Sequence, residues 1–243
     1  MSFDFKEAKH ILIFGMGEIA KAITEHIQIL NPNVKLYGVT RSKNRSIKNV
    51  KLFFHDPTDS SSWSRLEQEI GKLNITFDLI FSSYGVLHND KLRPEKRLAD
   101  IQLENMIEAH CINTFSCALI AKHFSQFLPI KKSSTLVFLS AKVGSIEDNK
   151  MGGWYSYRSS KAALNMMMKN ISIELGRSRK LLSVQCIHPG TTKSALSKPF
   201  LSSTNLKVRS PLESAKNICN VIEEASRQGT GLFKNWDGSD LPW

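Results

Sequence analysis

Cysteines are few in this sequence and long apolar runs are missing, and both shortages exclude classes of protein. The four cysteines form no C-x-x-C pair, and 243 residues can bury a large core without disulfide bonds. We therefore expect free, buried thiols in a reducing compartment. No stretch approaches the roughly 18 apolar residues of a membrane span, and the N-terminal segment lacks the apolar centre of a signal peptide. The sequence thus predicts a cytoplasmic protein that does not enter a membrane.

Acidic residues are also scarce, with 22 Asp and Glu against 33 Lys and Arg, a net charge of +11. A basic surface attracts nucleic acid, but these charges are scattered, with the densest groups at 41–48 and 177–180. Zinc-finger spacing and an arginine-rich arm are missing, and the seven histidines form no H-x-x-x-H pair. We therefore predict neither a nucleic-acid partner nor a metal site.

Short apolar runs alternate with stretches of helical periodicity along the whole chain. The runs predict strands at 10–14, 34–40, 52–55, 79–82, 135–140, 182–188 and 231–233. The periodic stretches predict helices at 17–30, 61–73, 101–127, 155–175 and 210–227. This alternation predicts an α/β fold, a doubly wound parallel sheet with helices on both faces. Because no linker or repeat is present, residues 1–243 are interpreted as one domain.

The segment after the first predicted strand, at 15–20, has the pattern G-x-G-x-x-A and opens a helix. The first glycine allows a tight turn, the second lets the backbone approach a pyrophosphate, and the small third residue allows close packing of helix and strand. Free N–H groups at the helix start favour the anion. We expect Gly15, Gly17, Glu18 and Ile19 to contact a dinucleotide; the alternative is a simple turn.

The second predicted strand ends beside basic residues instead of the carboxylate that would bond the ribose hydroxyls of NAD. Arg41 is followed by Ser42, and Arg can bind a 2′-phosphate with two hydrogen bonds. This favours NADP(H) as the cofactor. The alternative is a solvated basic loop.

Tyr157 and Lys161 are four residues apart on a predicted helix and therefore share one face. A nearby ammonium favours the phenolate and lowers the pKa of a tyrosine, which lets it exchange a proton with a carbonyl or an alcohol. The same spacing also occurs by chance.

Together these motifs resemble the short-chain dehydrogenase/reductase family over nearly the full chain. Its ordered pattern is a phosphate turn, a serine after a strand, Y-x-x-x-K and Pro-Gly, matched here by Ser140, Tyr157, Lys161 and Pro189–Gly190. Four segments resemble the C-factor-like branch of the family: GSIEDN, GGWYSYRSSKAALN, HPGTTKSALSKPF and FKNWDGSDLPW. The resemblance implies a Rossmann-like fold.

The resemblance also implies roles for the matching residues. Tyr157 would be the general acid/base, and Lys161 would lower its pKa and bond the nicotinamide ribose. Asn113 would order a proton-relay water, and Ser140 would bond the substrate carbonyl. An alignment on the following glycine puts Ala141 in the place of that serine instead.

Further contacts to the cofactor are implied after three of the predicted strands. The residues are Asp56, Ser83, Gly85, Pro189, Gly190 and Thr192. The carboxylate of Asp56 fits a helix or turn cap equally well. The segment 82–85, SSYG, keeps only the glycine of the family pattern, and Tyr84 must find space near the cofactor.

The implied activity is NADP(H)-dependent hydride transfer to or from a small carbonyl or alcohol substrate. The resemblance further implies a homodimer or homotetramer packed through the helices that carry Asn113 and Tyr157, and a mobile substrate loop at 196–206. The alternative is a non-catalytic NADP-binding regulatory or signalling protein on the same fold.

Overall fold

The computed structural model describes residues 2–203 and 206–243 and has at its centre one parallel sheet. Its seven strands are β1 His10–Phe14, β2 Lys35–Thr40, β3 Val50–Phe54, β4 Leu79–Ser82, β5 Ser134–Leu139, β6 Leu182–His188 and β7 Leu232–Asn235. Their order is β3-β2-β1-β4-β5-β6-β7, and every neighbouring pair is parallel. The predicted α/β fold with a doubly wound parallel sheet is confirmed.

The helices cover both faces of the sheet. They are α1 Glu18–Leu30, α2 Ser60–Gly71, α3 Leu103–His110, α4 Ser116–Phe124, α5 Tyr155–Ser178 and α6 Pro211–Gln228. Apolar side chains from α2, α4 and α5 pack on one face, and those from α1 and α6 pack on the other.

Strand β1 shows how the sequence builds two cores. Leu12 and Phe14 point to the first core, while Ile11 and Ile13 point to the second, and all four are fully buried. Alternation sends successive side chains to opposite faces, so a strand covered on both faces must be continuously apolar. Each such side chain contributes about 2 kcal/mol by its burial.

The predicted helical stretch over 101–127 is confirmed from Leu103 onward, and it contains one π-helical turn. Helix α3 begins at Leu103, a π-helical turn occupies Cys111–Phe115, and α4 follows. Within the turn the Ser116 hydroxyl donates to the Ile112 carbonyl (2.6 Å) and the Cys117 thiol to that of Asn113 (3.6 Å). Hydrophobic periodicity does not register a single-turn bulge, since the apolar residues on either side remain periodic.

The order of the strands reverses between β1 and β4, and this switch point locates the ligand crevice. The predicted site residues follow the carboxyl ends of β1 to β6, so the fold gathers them at one edge of the sheet. The interpretation of 1–243 as one domain stays a prediction, which the single sheet from His10 to Asn235 supports.

Candidate active site

The turn after β1 needs a glycine at its first position. Gly15 has φ +80°, and its N–H donates to the Val39 carbonyl at 2.9 Å. A Cβ added there would lie 2.9 Å from Ser83 Oγ and 3.0 Å from Tyr84 Cδ1. Any other residue would be strained in its backbone and would collide with the segment after β4.

The start of α1 is open toward the crevice. Gly17 is the N-cap residue, and among the described residues no atom lies within 4 Å of a Cβ built on it. A glycine has no side chain to bond the first N–H groups of the helix, so they remain available to an anion. Ile19 lies half-buried one residue into the helix. These features fit the pyrophosphate of a dinucleotide.

Glu18 makes a contact that the sequence did not predict. Its carboxylate accepts a hydrogen bond from the Ala195 N–H at 2.8 Å. His88 Nε2 lies 3.2 Å and 3.1 Å from the carbonyl oxygens of Ala195 and Leu196, and a carbonyl can only accept, so the ring donates. Hydrogen bonds to Glu18 and His88 therefore hold the segment after β6 against the phosphate turn. Residues 204 and 205 of the predicted substrate loop lie outside the described residues.

A cavity of about 300 Å³ lies at the switch point, under this fastened segment. It is lined by Arg41, Gly85, Val86, His88, Asn89, Glu108, Ile112, Ala195 and Leu196. The lining combines charged and polar side chains, Arg41, Glu108, His88 and Asn89, with the apolar Val86, Ile112 and Leu196. Such a lining suits a nucleotide, with apolar contact for a base and a cation for a phosphate.

Arg41 and Asp56 lie close enough to interact at the ends of β2 and β3. Arg41 is exposed, as is Ser42, whose N–H donates to Thr40 Oγ1 at 3.2 Å. Asp56 accepts from the Thr58 N–H (3.0 Å) and hydroxyl (2.8 Å), and these bonds, with a smaller effect of Arg41, lower its pKa. Asp56 thus caps a turn beside Arg41, as the alternative to a cofactor contact predicts.

Tyr84 fills space left by the short phosphate turn. Its ring lies edge-on to Phe14, with ring centroids 6.0 Å apart, and it contacts the underside of Gly15. The neighbouring Ser83 hydroxyl donates to the Gly15 carbonyl at 2.7 Å, which ties the two loops together. The Tyr84 hydroxyl is buried without a hydrogen-bond partner among the described residues, and burial raises its pKa.

Lys161 lies one helical turn after Tyr157 on α5, and burial shifts the pKa of both side chains. The Lys161 ammonium is buried, donates to the Leu139 carbonyl at 3.0 Å and lies 5.9 Å from the Tyr157 ring centroid. A Cβ on Gly85 would be 3.5 Å from the same ammonium. Burial lowers the pKa of Lys161 and raises that of Tyr157 to about 12. Burial is the cause of the raised tyrosine pKa, and its lowering by Lys161 stays a prediction.

Asn113, in the π-helical turn, joins two parts of the site. Its Oδ1 accepts from the Val86 N–H (2.7 Å), and its Nδ2 donates to the Val86 carbonyl (2.9 Å) and to Ser160 Oγ (2.9 Å). The side chain is fully buried. It thereby fixes the loop after β4 against the helix that carries Tyr157.

Ser140 follows β5 directly, and its hydroxyl is already engaged. It is buried and donates to Asn165 Oδ1 of α5 at 2.7 Å. To bond a substrate carbonyl this hydroxyl would have to leave Asn165. Ala141, the alternative position from the alignment, has no hydroxyl. The carbonyl-binding role of Ser140 stays a prediction.

Arg209 and Trp236 pack against the Pro189–Gly190 segment after β6. Gly190 has φ +73°, and a Cβ on it would lie 2.8 Å from an Arg209 guanidinium nitrogen and 3.0 Å from Trp236 Cδ1. The Thr192 hydroxyl lies 2.7 Å from the Ser214 hydroxyl of α6. The side chain of Thr192 thus faces α6, and its carbonyl accepts a hydrogen bond from the Ser197 hydroxyl.

Sequence reasoning left the role of Trp154 open and missed Glu95. The Trp154 ring lies edge-on to Tyr157, with centroids 6.2 Å apart, and packs on Phe200 at 5.1 Å. Its spacing of three residues from Tyr157 on a helix start was the available signal. Glu95 lies 61 residues before its partner Ser156, so no local pattern reports it.

Within residues 2–203 and 206–243, no group of three or more His, Cys, Asp or Glu side chains has an arrangement that could hold a metal ion. The described helices also include none that is both long and apolar enough to cross a membrane.

Comparison with known proteins agrees with this geometry. An oxidoreductase of Schizosaccharomyces pombe is 27% identical over 82% of this chain and 80% of its own, and C-signal of Myxococcus xanthus is 28% identical over 60% and 83%. The structure of an NADPH-bound carbonyl reductase from chicken fatty liver superposes with a TM-score of 0.82, at 20% identity, over 97% of this chain and 99% of that one. The family model for short chain dehydrogenase matches residues 9–205. The chain therefore belongs to the short-chain dehydrogenase family of oxidoreductases, and the relative C-signal supports its place in the C-factor-like branch.

Proposed function

We propose that the protein is an NADP(H)-dependent reductase of a small carbonyl compound, with Tyr157 as the proton donor. The observation that carries the proposal is the position of Lys161 between Tyr157 and Gly85. Gly85 lies at the switch point and lines the same cavity as Arg41. A proton donor, a buried ammonium and a nucleotide-sized space with a phosphate-binding cation thus lie at one edge of the sheet.

Tyr157 is in the protonation state that a proton donor in a reduction needs. With a pKa of about 12 the phenol is neutral at physiological pH, and a neutral phenol is the form that donates a proton. Its Oη would protonate the carbonyl oxygen while Lys161 stabilises the phenolate left behind. Asn113 holds the loop after β4 in place against α5 during this transfer. The bound nicotinamide would supply the hydride.

Arg41 supports NADP(H) over NAD(H). It lies at the carboxyl end of β2, where a carboxylate would repel a 2′-phosphate, and the chain has arginine and serine there instead. The similar chicken carbonyl reductase was solved with NADPH, which agrees with this choice. Gly15, Gly17 and Ile19 would hold the pyrophosphate. The rest of the cofactor site would be lined by Asp56, Ser83, Pro189, Gly190 and Thr192.

Titration with NADPH and NADH, read by nucleotide fluorescence, tests the cofactor assignment. We expect tight NADPH binding, weak NADH binding, and at least a tenfold loss of NADPH affinity in Arg41→Glu, since a charge reversal replaces attraction with repulsion. Lys180→Glu, an exposed residue before the start of β6 at the opposite edge of the sheet, is the matched charge reversal. An equal loss in both variants would show that only the net charge matters.

Replacing Tyr157 by Phe tests the catalytic assignment. The variant keeps the ring that packs on Trp154 and loses the hydroxyl, so turnover of activated aldehydes and quinones should fall about a thousandfold or more while NADPH binding is retained. Unchanged turnover would contradict a proton-donor role for Tyr157.

A second candidate is a non-catalytic, NADP-binding signalling protein. It is favoured by the engagement of the Ser140 hydroxyl with Asn165 and by the relative named C-signal. NADPH binding without turnover of any carbonyl in a broad panel would support it.

Exposed apolar side chains on α3 and α5 support the homodimer or homotetramer proposal. Leu103 and Ile107 lie one turn apart on α3, and Met166 and Ile173 lie two turns apart on α5, each more than half exposed. A reducing, cytoplasmic location remains our expectation, and the four cysteines are free thiols.

A further inference from the structure

Glu95 reaches the start of α5 from a loop far away in sequence. Its side chain is 2% exposed. Its carboxylate accepts from the Ser156 N–H at 3.1 Å and from the Ser156 hydroxyl. Its backbone carbonyl accepts from the Trp154 N–H at 2.5 Å. Three hydrogen bonds thus join one residue to the first turn of the helix, immediately before Tyr157.

The chain entering α5 needs such a support. Gly152, Gly153 and Trp154 have consecutive positive φ angles of 64°, 66° and 51°. A left-handed conformation costs a non-glycine residue roughly 1–2 kcal/mol, so Trp154 keeps it only where its surroundings compensate. The bond from the Trp154 N–H to Glu95 is one such compensation.

Helix α5 also lacks the usual N-terminal cap. Its N-cap residue is Trp154, whose side chain cannot accept a hydrogen bond from the free N–H groups of the first turn. The Glu95 carboxylate accepts instead, and a negative charge at the start of a 24-residue helix interacts favourably with the helix dipole. Burial strengthens both effects, because water does not compete for the carboxylate.

We propose that Glu95 is a positioning residue that fixes the first turn of α5 and, through Ser156 and Trp154, the orientation of the Tyr157 phenol. The proposal rests on the proposed role of Tyr157 as proton donor. The Trp154 ring carries the effect further, since it contacts both Tyr157 and Phe200 of the segment after β6.

The test compares Glu95→Ala and Glu95→Gln with Asp59→Ala. Asp59 is the N-cap of α2 and accepts from the Ser61 N–H at 2.9 Å, so its loss removes a comparable cap at a site remote from Tyr157. Turnover is measured with NADPH and 4-nitrobenzaldehyde, NADPH affinity by fluorescence, and stability by thermal unfolding. We expect kcat to fall about a hundredfold in Glu95→Ala, and less in Glu95→Gln, which keeps one acceptor oxygen, with NADPH affinity unchanged. Asp59→Ala should lower Tm with no loss of kcat beyond twofold, a rough limit for capping alone.

A second readout does not depend on turnover. The chain has four tyrosines, so carbon-13 tyrosine labelling, with Tyr157→Phe for assignment, follows the titration of Tyr157 directly. We expect its pKa to fall from about 12 in Glu95→Ala, because a loosened first turn admits water, and to stay unchanged in Asp59→Ala. Ser156→Ala replaces Glu95→Ala if that variant does not fold.

Equal effects of Glu95→Ala and Asp59→Ala on kcat, with an unmoved Tyr157 titration, would overturn the proposal and leave Glu95 a structural cap. If the wild-type protein reduces no carbonyl, the proposed function fails by itself. The shift of the Tyr157 titration in the Glu95 variants still decides whether Glu95 positions that residue.

Discussion

At the residue scale, the hydroxyl that follows β5 decides how a carbonyl is held. The Ser140 hydroxyl donates a hydrogen bond to Asn165, and this bond orients the hydroxyl toward α5. Ala141 follows it and offers no donor. The site therefore has a proton donor in Tyr157, whereas neither residue 140 nor residue 141 offers the substrate oxygen a free hydroxyl.

Exchanging hydroxyls at these two positions tests that interpretation. Ser140→Ala should lower stability by about 1–3 kcal/mol, because Asn165 loses its buried donor, while turnover stays within roughly threefold. Ala141→Ser should raise kcat by about tenfold, since an added donor stabilises the developing oxyanion. Steady-state kinetics and urea unfolding of both variants provide the measurement. A collapse of turnover in Ser140→Ala with stability retained would restore Ser140 to the carbonyl-binding role.

The site residues that the sequence predicts are those with a characteristic local spacing. Tyr157 and Lys161 are recognisable because one helical turn separates them, and Gly15 because its motif follows a strand. The direction of the Ser140 hydroxyl and the pKa of Tyr157 depend on burial among residues distant in sequence. No local pattern contains that information.

At the element scale, the segment after β6 and the start of α1 are joined by Glu18. The carboxylate lies in the first turn of α1, where the free N–H groups favour an anion, and it holds Ala195. A bound pyrophosphate would meet this negative charge. The contact thus fastens the segment at the cost of some phosphate affinity.

Glu18→Gln should therefore tighten NADPH binding about three- to tenfold at low ionic strength, because the repulsion is removed while an acceptor for Ala195 remains. Fluorescence titrations at low and high salt measure the change, which should shrink as salt screens the charge. Glu25→Gln, on the exposed face of the same helix, is the control. Equal gains in the two variants would contradict a local effect of Glu18.

The strands and most helices followed from the sequence to within a few residues. Strands β1, β4 and β6 begin and end where their apolar runs do, since each run is bounded by polar or turn residues. The π-helical turn between α3 and α4 is not visible in the sequence pattern, because its cause is tertiary. Asn113 turns inward to bond the loop after β4 and Ser160, and the bulge accommodates that turn.

At the scale of the whole molecule, stability should depend on pH through buried histidines. His55 is fully buried, with Nδ1 2.8 Å from the Ser62 hydroxyl, and burial lowers its pKa to about 4. Burial lowers the pKa of His188 to about 4 as well. The unfolded chain binds a proton at each site near pH 6.5, before the folded protein does.

The stabilisation from neutral His55 is therefore complete above about pH 6.5 and is lost as the pH falls toward 4, by an amount on the order of 3 kcal/mol. Thermal unfolding across this interval should show a falling Tm, and His55→Gln should flatten the fall by about half, since His188 keeps its share. His10→Gln, at the start of β1, is the control. A slope unaffected by His55→Gln would assign the acid sensitivity to other groups.

The π-helical turn also limits how this protein can be shortened or stabilised. Each residue of a helix turns the chain by about 100°, so a chain with one residue fewer in Cys111–Phe115 would run as an ordinary helix and point Asn113 away from Val86. Such a deletion would restore regular backbone bonding, but it would break the hydrogen bonds of Asn113 to Val86 and Ser160. The length of the chain here is therefore tied to the position of Asn113 in the site.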